Sequence, residues 1–320
     1  MYKFKPILKT IIWGGEKIVP YKQLTTDQKS VGESWELSGV KGDESIVANG
    51  AYAGKTLPEL IDLLKGELVG EKVYAAHGNE FPLLIKFIDA RKDLSIQVHP
   101  NDELSKLRHG KKGKTEMWYV VGADKGAHLL SGFSQKVTPE EYAAKVADNT
   151  VTDVLTNYEV HEGDVFFLPA GRVHAIGAGS FVAEIQQTSD VTYRIYDYGR
   201  LGANGKPREL HVELAKDAID FTVEKDYRTH YTAKKNEGVE LVQCNYFTTT
   251  LYDLDQTAQV DMRALDSFLI VMGLEGQGKI RNNKGEEISV KQGETVLIPA
   301  STEQIELIPD SKLKVLTSHL

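Results

Sequence analysis

Alternation of apolar and polar positions runs through most of the chain and predicts a protein built mainly from β-strands. Short runs rich in β-branched and aromatic residues recur, each bounded by Gly, Asp, Asn or Pro, which is the pattern of an all-β barrel or sandwich. These runs are EMWYVVGA, DVFFLPA, SFVAEIQQTS, VTYRIYDY, NYFTTTLYDL, SFLIVMGL and ETVLIPA. We therefore expect sheets to form the core and helices to be few.

Two segments carry strong helical signals. Residues 56–68 begin with a Thr and carry Pro58 and Glu59 in the first turn, and residues 138–155 begin with Thr-Pro-Glu. Thr is a preferred N-cap, Pro fits the first helical turn, and Glu favours a helix N-terminus. A capped helix is predicted at each place, and a shorter helical stretch follows the polar, Gly-rich segment that begins GRLGANGKPREL.

An internal repeat divides the chain. Residues 163–176, GDVFFLPAGRVHAI, align with residues 293–307, GETVLIPASTEQIEL, and each copy runs from Gly and an acid through an apolar strand to Pro-Ala. Such a repeat predicts two related β units, and we place their junction near residue 230, giving domains of residues 1–230 and 231–320. Only the first copy has a histidine, His174, so only the first unit is expected to be active.

Composition limits the partners and the compartment. The chain has 38 Lys and Arg against 46 Asp and Glu, a formal net charge of −8, and its longest basic stretch is GKKGK. This balance argues against general binding of nucleic acid or membrane surfaces. The single cysteine, Cys244, cannot form an internal disulfide, the first residues lack a signal-peptide pattern, and no apolar run approaches the roughly 18 residues of a membrane span. A cytoplasmic protein is predicted, and no particular protein partner is indicated.

The stretch SIQVHPND places polar side chains on one face of a predicted strand. Gln97 and His99 share that face, Glu116 opens the next strand, EMWYVV, and His174 ends a Gly-x5-Pro-x-Gly-x2-His run. A single histidine on an apolar face is more often a hydrogen-bonded core residue than a metal ligand. Two imidazoles, a carboxylate and an amide oxygen together are instead suited to a borderline divalent ion such as zinc, with a position left for water or substrate.

These motifs resemble a known family. The run ending at His174 resembles the second signature of the cupin superfamily, and Gln97, His99 and Glu116 resemble the first, with Gln in place of the usual first histidine. QVHPND, KTEMWYV, WGGEKI, VGESWELSG and SDVTYRIYDYGR are jointly similar to the zinc-dependent type I mannose-6-phosphate isomerases, in their short bacterial form. The resemblance covers nearly the whole chain.

The resemblance implies a mainly β fold of two cupin-like (jelly-roll) barrels with helical insertions, the second barrel lacking metal ligands. It implies one Zn²⁺ per chain, held by Gln97, His99, Glu116 and His174, and a sugar-phosphate substrate. The implied reaction interconverts mannose 6-phosphate and fructose 6-phosphate. Longer family members carry a histidine where this chain has Gly113, so no role of that histidine is transferred here.

Aldose–ketose isomerisation sets further requirements on the site. Moving a proton between C1 and C2 through an enediol needs an electrophile, a base and cations for the phosphate. By resemblance, Arg194 is the catalytic arginine, and Lys114, two positions before Glu116, is a candidate acid/base or phosphate contact. The alternatives are a solvated loop for Lys114 and a barrel ion pair for Arg194. Weaker candidates are Arg172, Asp190 and Arg200.

Two glycine-containing stretches could suggest nucleotide binding, but neither has the required pattern. GKKGKTE is not a P-loop, because Arg108 stands where the first Gly is required. GLEGQGKI, residues 273–280, follows a strand and leads into another, which predicts a hairpin rather than a dinucleotide loop. A metal-dependent cupin dioxygenase and a catalytically silent sugar-phosphate-binding cupin are the competing functional hypotheses.

Overall fold

The computed structural model describes residues 1–202 and 205–320. The helices are α1 (Ile18–Tyr21), α2 (Leu57–Leu64), α3 (Gly66–Val69), α4 (Glu71–His77), α5 (Asp102–His109), α6 (Pro139–Ala147) and α7 (Val212–Ala218), with 3-10 turns at Gly50–Tyr52 and Val151–Val154. The strands are β1 (Tyr2–Lys5), β2 (Ile7–Gly15), β3 (Val31–Leu37), β4 (Ile46–Val47), β5 (Leu83–Asp89), β6 (Ile96–Val98), β7 (Glu116–Ala123), β8 (His128–Phe133), β9 (Leu155–Glu159), β10 (Val165–Leu168), β11 (His174–Ile176), β12 (Ser180–Gln187), β13 (Tyr193–Tyr196), β14 (Arg228–Thr229), β15 (Gly238–Gln243), β16 (Thr248–Leu254), β17 (Ala258–Asp261), β18 (Leu269–Asn282), β19 (Glu287–Lys291), β20 (Thr295–Ile298) and β21 (Gln304–His319). No described helix has the length and apolar composition needed to cross a membrane.

The predicted helices begin where expected but end early. Thr56 and Thr138 are N-caps of α2 and α6, and each forms a capping box with the glutamate three positions on. The first helix breaks at Lys65, whose φ of 48° separates α2 from α3. The second ends before Asn149, whose φ is 58°, so a helix running to residue 155 is wrong. The short helix predicted after the polar segment is α7, and residues 203 and 204 in that segment lie outside the described residues.

The strands pair into three sheets, which confirms the mainly β prediction. A seven-stranded sheet has the order β14-β10-β7-β12-β5-β3-β2, and a five-stranded sheet has the order β13-β6-β11-β8-β9. The third sheet has nine strands in the order β15-β16-β21-β18-β20-β1-β4, with β17 added beside β21 and β19 beside β18. As paired within the described residues, the sheets are open rather than closed barrels.

The seven-stranded and five-stranded sheets face each other across one apolar cluster. Trp118 and Val182 from the first sheet meet Leu129 and Ile176 from the second there. The outer face of the seven-stranded sheet packs against α2, α3 and α4, and that of the five-stranded sheet against α6 and α7. Because the central strands β5 and β12 are buried along their whole length, any polar residue on their inner face is enclosed in the protein.

Strand β6 shows how alternation brings polar groups inside. Ile96 and Val98 pack with Tyr142 and Ala215 in the cluster beneath α6 and α7. The opposite face, which carries Gln97, therefore points into the space between the two sheets. The polar face predicted for SIQVHPND belongs to the interior and not to solvent.

The internal repeat appears in the backbone as two units of glycine, strand and proline. Gly163 precedes β10 with a φ of 90°, and Gly293 precedes β20 with a φ of 78°. After the first unit the chain crosses from the seven-stranded to the five-stranded sheet, whereas both strands of the second unit lie in the nine-stranded sheet. The two copies therefore share local structure but differ in sheet connection.

The hairpin predicted at residues 273–280 is wrong, because these residues lie within the long strand β18. Its pairing with β21 shifts register on both sides of Gly276, whose φ is 73°. A Cβ at Gly276 would lie 2.0 Å from the carbonyl oxygen of Lys312. The glycines thus permit a bulge and a close strand approach instead of a chain reversal.

Candidate metal centre

Three predicted ligands converge between the facing sheets. His99 follows β6 and His174 begins β11 in one sheet, while Glu116 begins β7 in the other. Nε2 of His99 lies 3.6 Å from Oε2 of Glu116, and Nε2 of His174 lies 3.3 Å from Oε1. One ligand atom from each residue falls within 4.8 Å of the other two. The three side chains could therefore hold a single ion.

Both imidazoles are fixed through Nδ1, which directs Nε2 into the cluster. Nδ1 of His99 lies 3.0 Å from the Val191 carbonyl, and Nδ1 of His174 lies 2.8 Å from the Arg172 carbonyl. A carbonyl only accepts, so Nδ1 donates its proton and the lone pair on Nε2 faces Glu116. Burial lowers the pKa of His99 well below its usual value and that of His174 to about 4. The neutral imidazoles are in the form that binds metal.

The Glu116 carboxylate gives the clearest indication of a cation site. Its side chain is buried, and neither oxygen accepts a hydrogen bond of good geometry from the residues that the structure describes. Burial raises the pKa of Glu116 to about 7, despite the Lys114 ammonium 2.9 Å from Oε2. A buried carboxylate facing two imidazole lone pairs is costly unless a cation lies among them. The donor set therefore fits a divalent metal ion.

Gln97 places an amide beside this cluster. Gln97 pairs directly with His174 across β6 and β11, and its amide nitrogen lies 3.4 Å from Nε2 of His174. The oxygen and nitrogen of a side-chain amide are assigned from hydrogen bonding, and a half-turn of the amide would bring the oxygen to this position. The fourth predicted ligand is thus adjacent to the other three.

Lys114 lies at the ligands, so the solvated-loop alternative is wrong. Its exposure is 7%. Its Nζ lies 3.1 Å from Nε2 of His99, besides the contact with Glu116. The lysine side chain therefore reaches the three predicted ligands from the loop that precedes β7.

Arg194 lies on β13 directly opposite Gln97 of β6. Its Nη1 donates a hydrogen bond of 3.0 Å to the Glu209 carbonyl, and its Nε has no hydrogen-bond partner among residues 1–202 and 205–320. Burial, with the nearby charge of Arg208, lowers the pKa of Arg194. The salt bridges found among residues 1–202 and 205–320 do not include Arg194, and the nearby Asp197 is paired with Arg200 and Arg208.

A cleft of about 390 Å³, a volume within the range of small-molecule sites, borders this cluster at Gln97 and Lys114. Gln97, Lys114 and Arg194 line it, together with Arg208 and His211. The cationic groups on its wall suit an anionic ligand, although the chain as a whole is acidic.

Sequence reasoning missed a buried ion pair in the cleft wall. Lys86 of β5 and Glu184 of β12 are directly opposed, with 3.0 Å between Nζ and Oε2, and Trp118 donates to the other oxygen at 3.0 Å. Burial would raise the pKa of Glu184, but the ammonium groups of Lys86 and Lys114 outweigh it and hold the value at about 2. The available signal was a charged residue in the middle of each of two apolar strands, LLIKFID and FVAEIQQ.

The side chains of the three weaker candidates contact groups other than the predicted ligands. Arg172 stacks over the Tyr227 ring at 4.2 Å. Arg200 forms an ion pair of 2.5 Å with Asp197. Asp190 lines the cleft but is paired with a surface lysine at 2.7 Å. Of the three, only Asp190 borders the cleft.

Two family models, both of phosphomannose isomerases, match the two ends of the chain. A family model described as phosphomannose isomerase type I, catalytic domain, matches residues 1–127. A second, described as mannose-6-phosphate isomerase, cupin domain, matches residues 238–320. The first match includes three of the four predicted ligands, Gln97, His99 and Glu116.

Relatives match along almost the whole length. Mannose-6-phosphate isomerase ManA of Bacillus subtilis is 34% identical over 99% of this chain and 98% of that protein. The mannose-6-phosphate isomerase of Streptococcus mutans is 34% identical over 96% of this chain and 94% of its own. A crystal structure of the mannose 6-phosphate isomerase from Bacillus subtilis superposes with a TM-score of 0.89 at 31% identity, covering 100% of this chain and 99% of that one. The chain therefore belongs to the type I phosphomannose isomerase family.

Proposed function

We propose that the protein is an aldose–ketose isomerase that interconverts mannose 6-phosphate and fructose 6-phosphate through an enediol at a zinc site. The observation that carries the proposal is the buried cluster of His99, Glu116 and His174. Lys114 contacts this cluster and lines a cleft together with Arg194. Full-length relatives named for this activity support the same substrate.

The metal is proposed to be one Zn²⁺ per chain, held by Gln97, His99, Glu116 and His174. Imidazole and carboxylate ligands suit zinc, and three or four protein ligands leave a position for substrate. When bound, the ion supplies a Lewis acid that polarises or orients the oxygens of the sugar. The two backbone carbonyls on Nδ1 of the histidines keep both rings in the orientation that binding requires.

Lys114 is proposed as an acid/base group at the reacting end of the sugar. Its Nζ lies within 3.1 Å of His99 and 2.9 Å of Glu116, so it adjoins the atoms that would face C1 and C2. A phosphate contact is less well supported, because the phosphate and the reacting carbons lie at opposite ends of the substrate. Lys114 would give and receive the proton at Nζ while the enediol forms and collapses.

Arg194 and Arg208 are proposed to stabilise the negative charges of the substrate. Asp197 holds the Arg208 guanidinium through Nε and Nη2, at 2.7 and 2.6 Å, which leaves its Nη1 for a ligand. We assign Arg194, which lies opposite Gln97, to the charge that develops on the enediolate, and Arg208 to the phosphate. Both guanidinium groups line the cleft.

The finer architecture is also a proposal: a cupin-like barrel in residues 1–230 that carries the metal, and a cupin-like barrel in residues 231–320 that lacks ligands. Support comes from β14 and β15, which lie in different sheets on either side of the junction, and from the cupin-domain match at residues 238–320. Strands β1 and β4 pair within the C-terminal sheet, so this proposal requires the N-terminal segment to bridge the two units. The cytoplasmic location stays a prediction.

The experiment is an assay of fructose 6-phosphate formation from mannose 6-phosphate by the purified protein, run beside a measurement of oxygen uptake. We expect ketose formation without oxygen consumption. Oxygen uptake would favour the cupin dioxygenase, and sugar-phosphate binding without turnover would favour the silent binding protein. Either result would overturn the isomerase proposal.

A further inference from the structure

The strand that carries Arg194 is open on one side. Within the described residues, β13 is the last strand of the five-stranded sheet and pairs only with β6. Backbone groups on an open strand edge must find other partners when they are shielded from water. The hydrogen-bond partners of the Arg194 backbone therefore help to set the direction of its guanidinium.

His211 supplies both missing partners. The Arg194 N–H donates to Nδ1 of His211 at 3.1 Å, and the His211 N–H donates to the Arg194 carbonyl at 2.7 Å. The imidazole thus takes the place of the acceptor that a neighbouring strand would offer. Because Nδ1 accepts, the neutral ring carries its proton on Nε2.

The same short segment also orients the arginine side chain. The carbonyl of Glu209, two residues before His211, accepts the hydrogen bond from Nη1 of Arg194 at 3.0 Å. In the part of the chain that the structure describes, Nε of Arg194 has no partner, and this carbonyl is the acceptor that holds the guanidinium. Residues 209–211 therefore hold Arg194 at its backbone and at its charged end.

His211 is itself well anchored. It precedes α7, and its carbonyl accepts a hydrogen bond of 2.8 Å from the N–H of Ala215, which is fully buried. Tyr142 donates to the Val212 carbonyl at 3.3 Å, which ties the start of α7 to α6. The His211 side chain is 23% exposed and lines the cleft beside Arg194.

We propose that His211 is a positioning residue for Arg194, acting through the acceptor at Nδ1. It fixes the backbone of β13 at Arg194 and, with the adjoining Glu209 carbonyl, the direction of the guanidinium toward the cleft. The inference rests on the proposed function in so far as Arg194 acts on a sugar phosphate. The hydrogen-bond relation between the two residues can be tested without turnover.

Three substitutions separate the acceptor from the bulk of the ring. His211→Asn keeps an oxygen acceptor near the position of Nδ1, His211→Phe keeps the ring without an acceptor, and His211→Ala removes both. We expect kcat to fall about 10- to 100-fold in the Ala and Phe variants and to stay within about fivefold in the Asn variant, because small misplacements of a catalytic group are costly. Metal content and melting temperature should stay near those of the control His230→Ala, an exposed histidine. Equal losses in the Asn and Phe variants, or unchanged kcat in Ala and Phe, would overturn the proposal.

A double substitution tests whether His211 acts through Arg194. In an Arg194→Ala background, His211→Ala should reduce kcat by less than about threefold further, since residues that act as a unit are not additive. Full additivity would contradict the proposal.

Amide hydrogen exchange tests the role of His211 without a measurement of turnover. Amide hydrogen exchange at Arg194 should be slow in wild type and His211→Asn, and faster in His211→Phe. If wild type does not isomerise mannose 6-phosphate, the proposed function fails and exchange alone decides the His211 inference. Unchanged protection of the Arg194 amide in His211→Phe would overturn it.

Discussion

Oε1 of Glu116 lies 3.3 Å from Nε2 of His174, although the two residues belong to different sheets. The contact joins β7 to β11 across the interior of the molecule and sets a carboxylate with unsatisfied oxygens against a neutral imidazole. The site is therefore made by the packing of one sheet on the other, and its ligands should act as a unit.

Loss of either histidine should remove the metal. His99→Ala or His174→Ala deletes one ligand of the proposed set, which should weaken zinc binding by several kcal/mol and leave Glu116 uncompensated. Elemental analysis of the purified variants should show little bound zinc, with His230→Ala as the matched control. A full equivalent of zinc in both variants would refute the ligand assignment.

Arg194→Lys keeps the charge but loses the planar guanidinium. If Arg194 stabilises the enediolate, kcat should fall by about 10²-fold or more, equivalent to about 2.7 kcal/mol of transition-state stabilisation. Zinc content and melting temperature should stay close to those of wild type. The three quantities should be measured on one preparation. Near wild-type kcat in a folded, metal-loaded variant would end the catalytic assignment.

The C-terminal unit should not take part in the chemistry. Ser301 lies in the loop of the second repeat, which has no histidine, and its backbone N–H, which donates to the Glu67 carbonyl at 3.0 Å, is kept on substitution by Ala. Ser301→Ala should leave kcat within about threefold of wild type. A hundredfold loss, on the scale of an active-site residue, would show that this unit contributes to the site.

Glu184→Gln should destabilise the fold in a pH-dependent way. It leaves Lys86 buried without its nearest carboxylate, and a broken buried pair typically costs about 3 kcal/mol or more at neutral pH. The folded-state pKa of Glu184, about 2, lies below the unfolded value of about 4.3. Its contribution is therefore fully present above the unfolded value and is lost as the pH falls toward the folded one.

The measurement for Glu184 is denaturant unfolding of chelated wild type and variant between about pH 7 and about pH 3. The gap in unfolding free energy should narrow below about pH 4.3, by at most about 1.4 kcal/mol per pH unit. A gap that stays constant over the acid range would show that the pKa of Glu184 is not depressed in the folded protein.

Short stretches of sequence predicted the features that depend only on residues close together in the chain. The strand-rich pattern, the caps at Thr56 and Thr138, and the exclusion of a P-loop needed only short stretches of sequence. The grouping of His99, Glu116 and His174 was reached through motif spacing and resemblance, because their residue types alone do not reveal which sheets meet.

Features that depend on pairing register were not predictable. Lys86 and Glu184 become partners only through the register of β5 against β12, and His211 meets Arg194 only because α7 packs on β13. The hairpin expected at residues 273–280 failed because glycine permits both turns and bulges, and the neighbouring strand β21 selected the bulge. Each of these features depends on contacts between segments that are far apart in the sequence.

The most direct test of the account is the dependence of isomerisation on the metal. Mannose 6-phosphate conversion should be assayed before chelation, after complete chelation, and during titration of the chelated protein with zinc. We expect activity to vanish with the metal and to return in proportion to bound zinc, reaching its maximum at one equivalent per chain. Undiminished fructose 6-phosphate formation by the metal-free protein, or none by the zinc-loaded protein, would contradict the account.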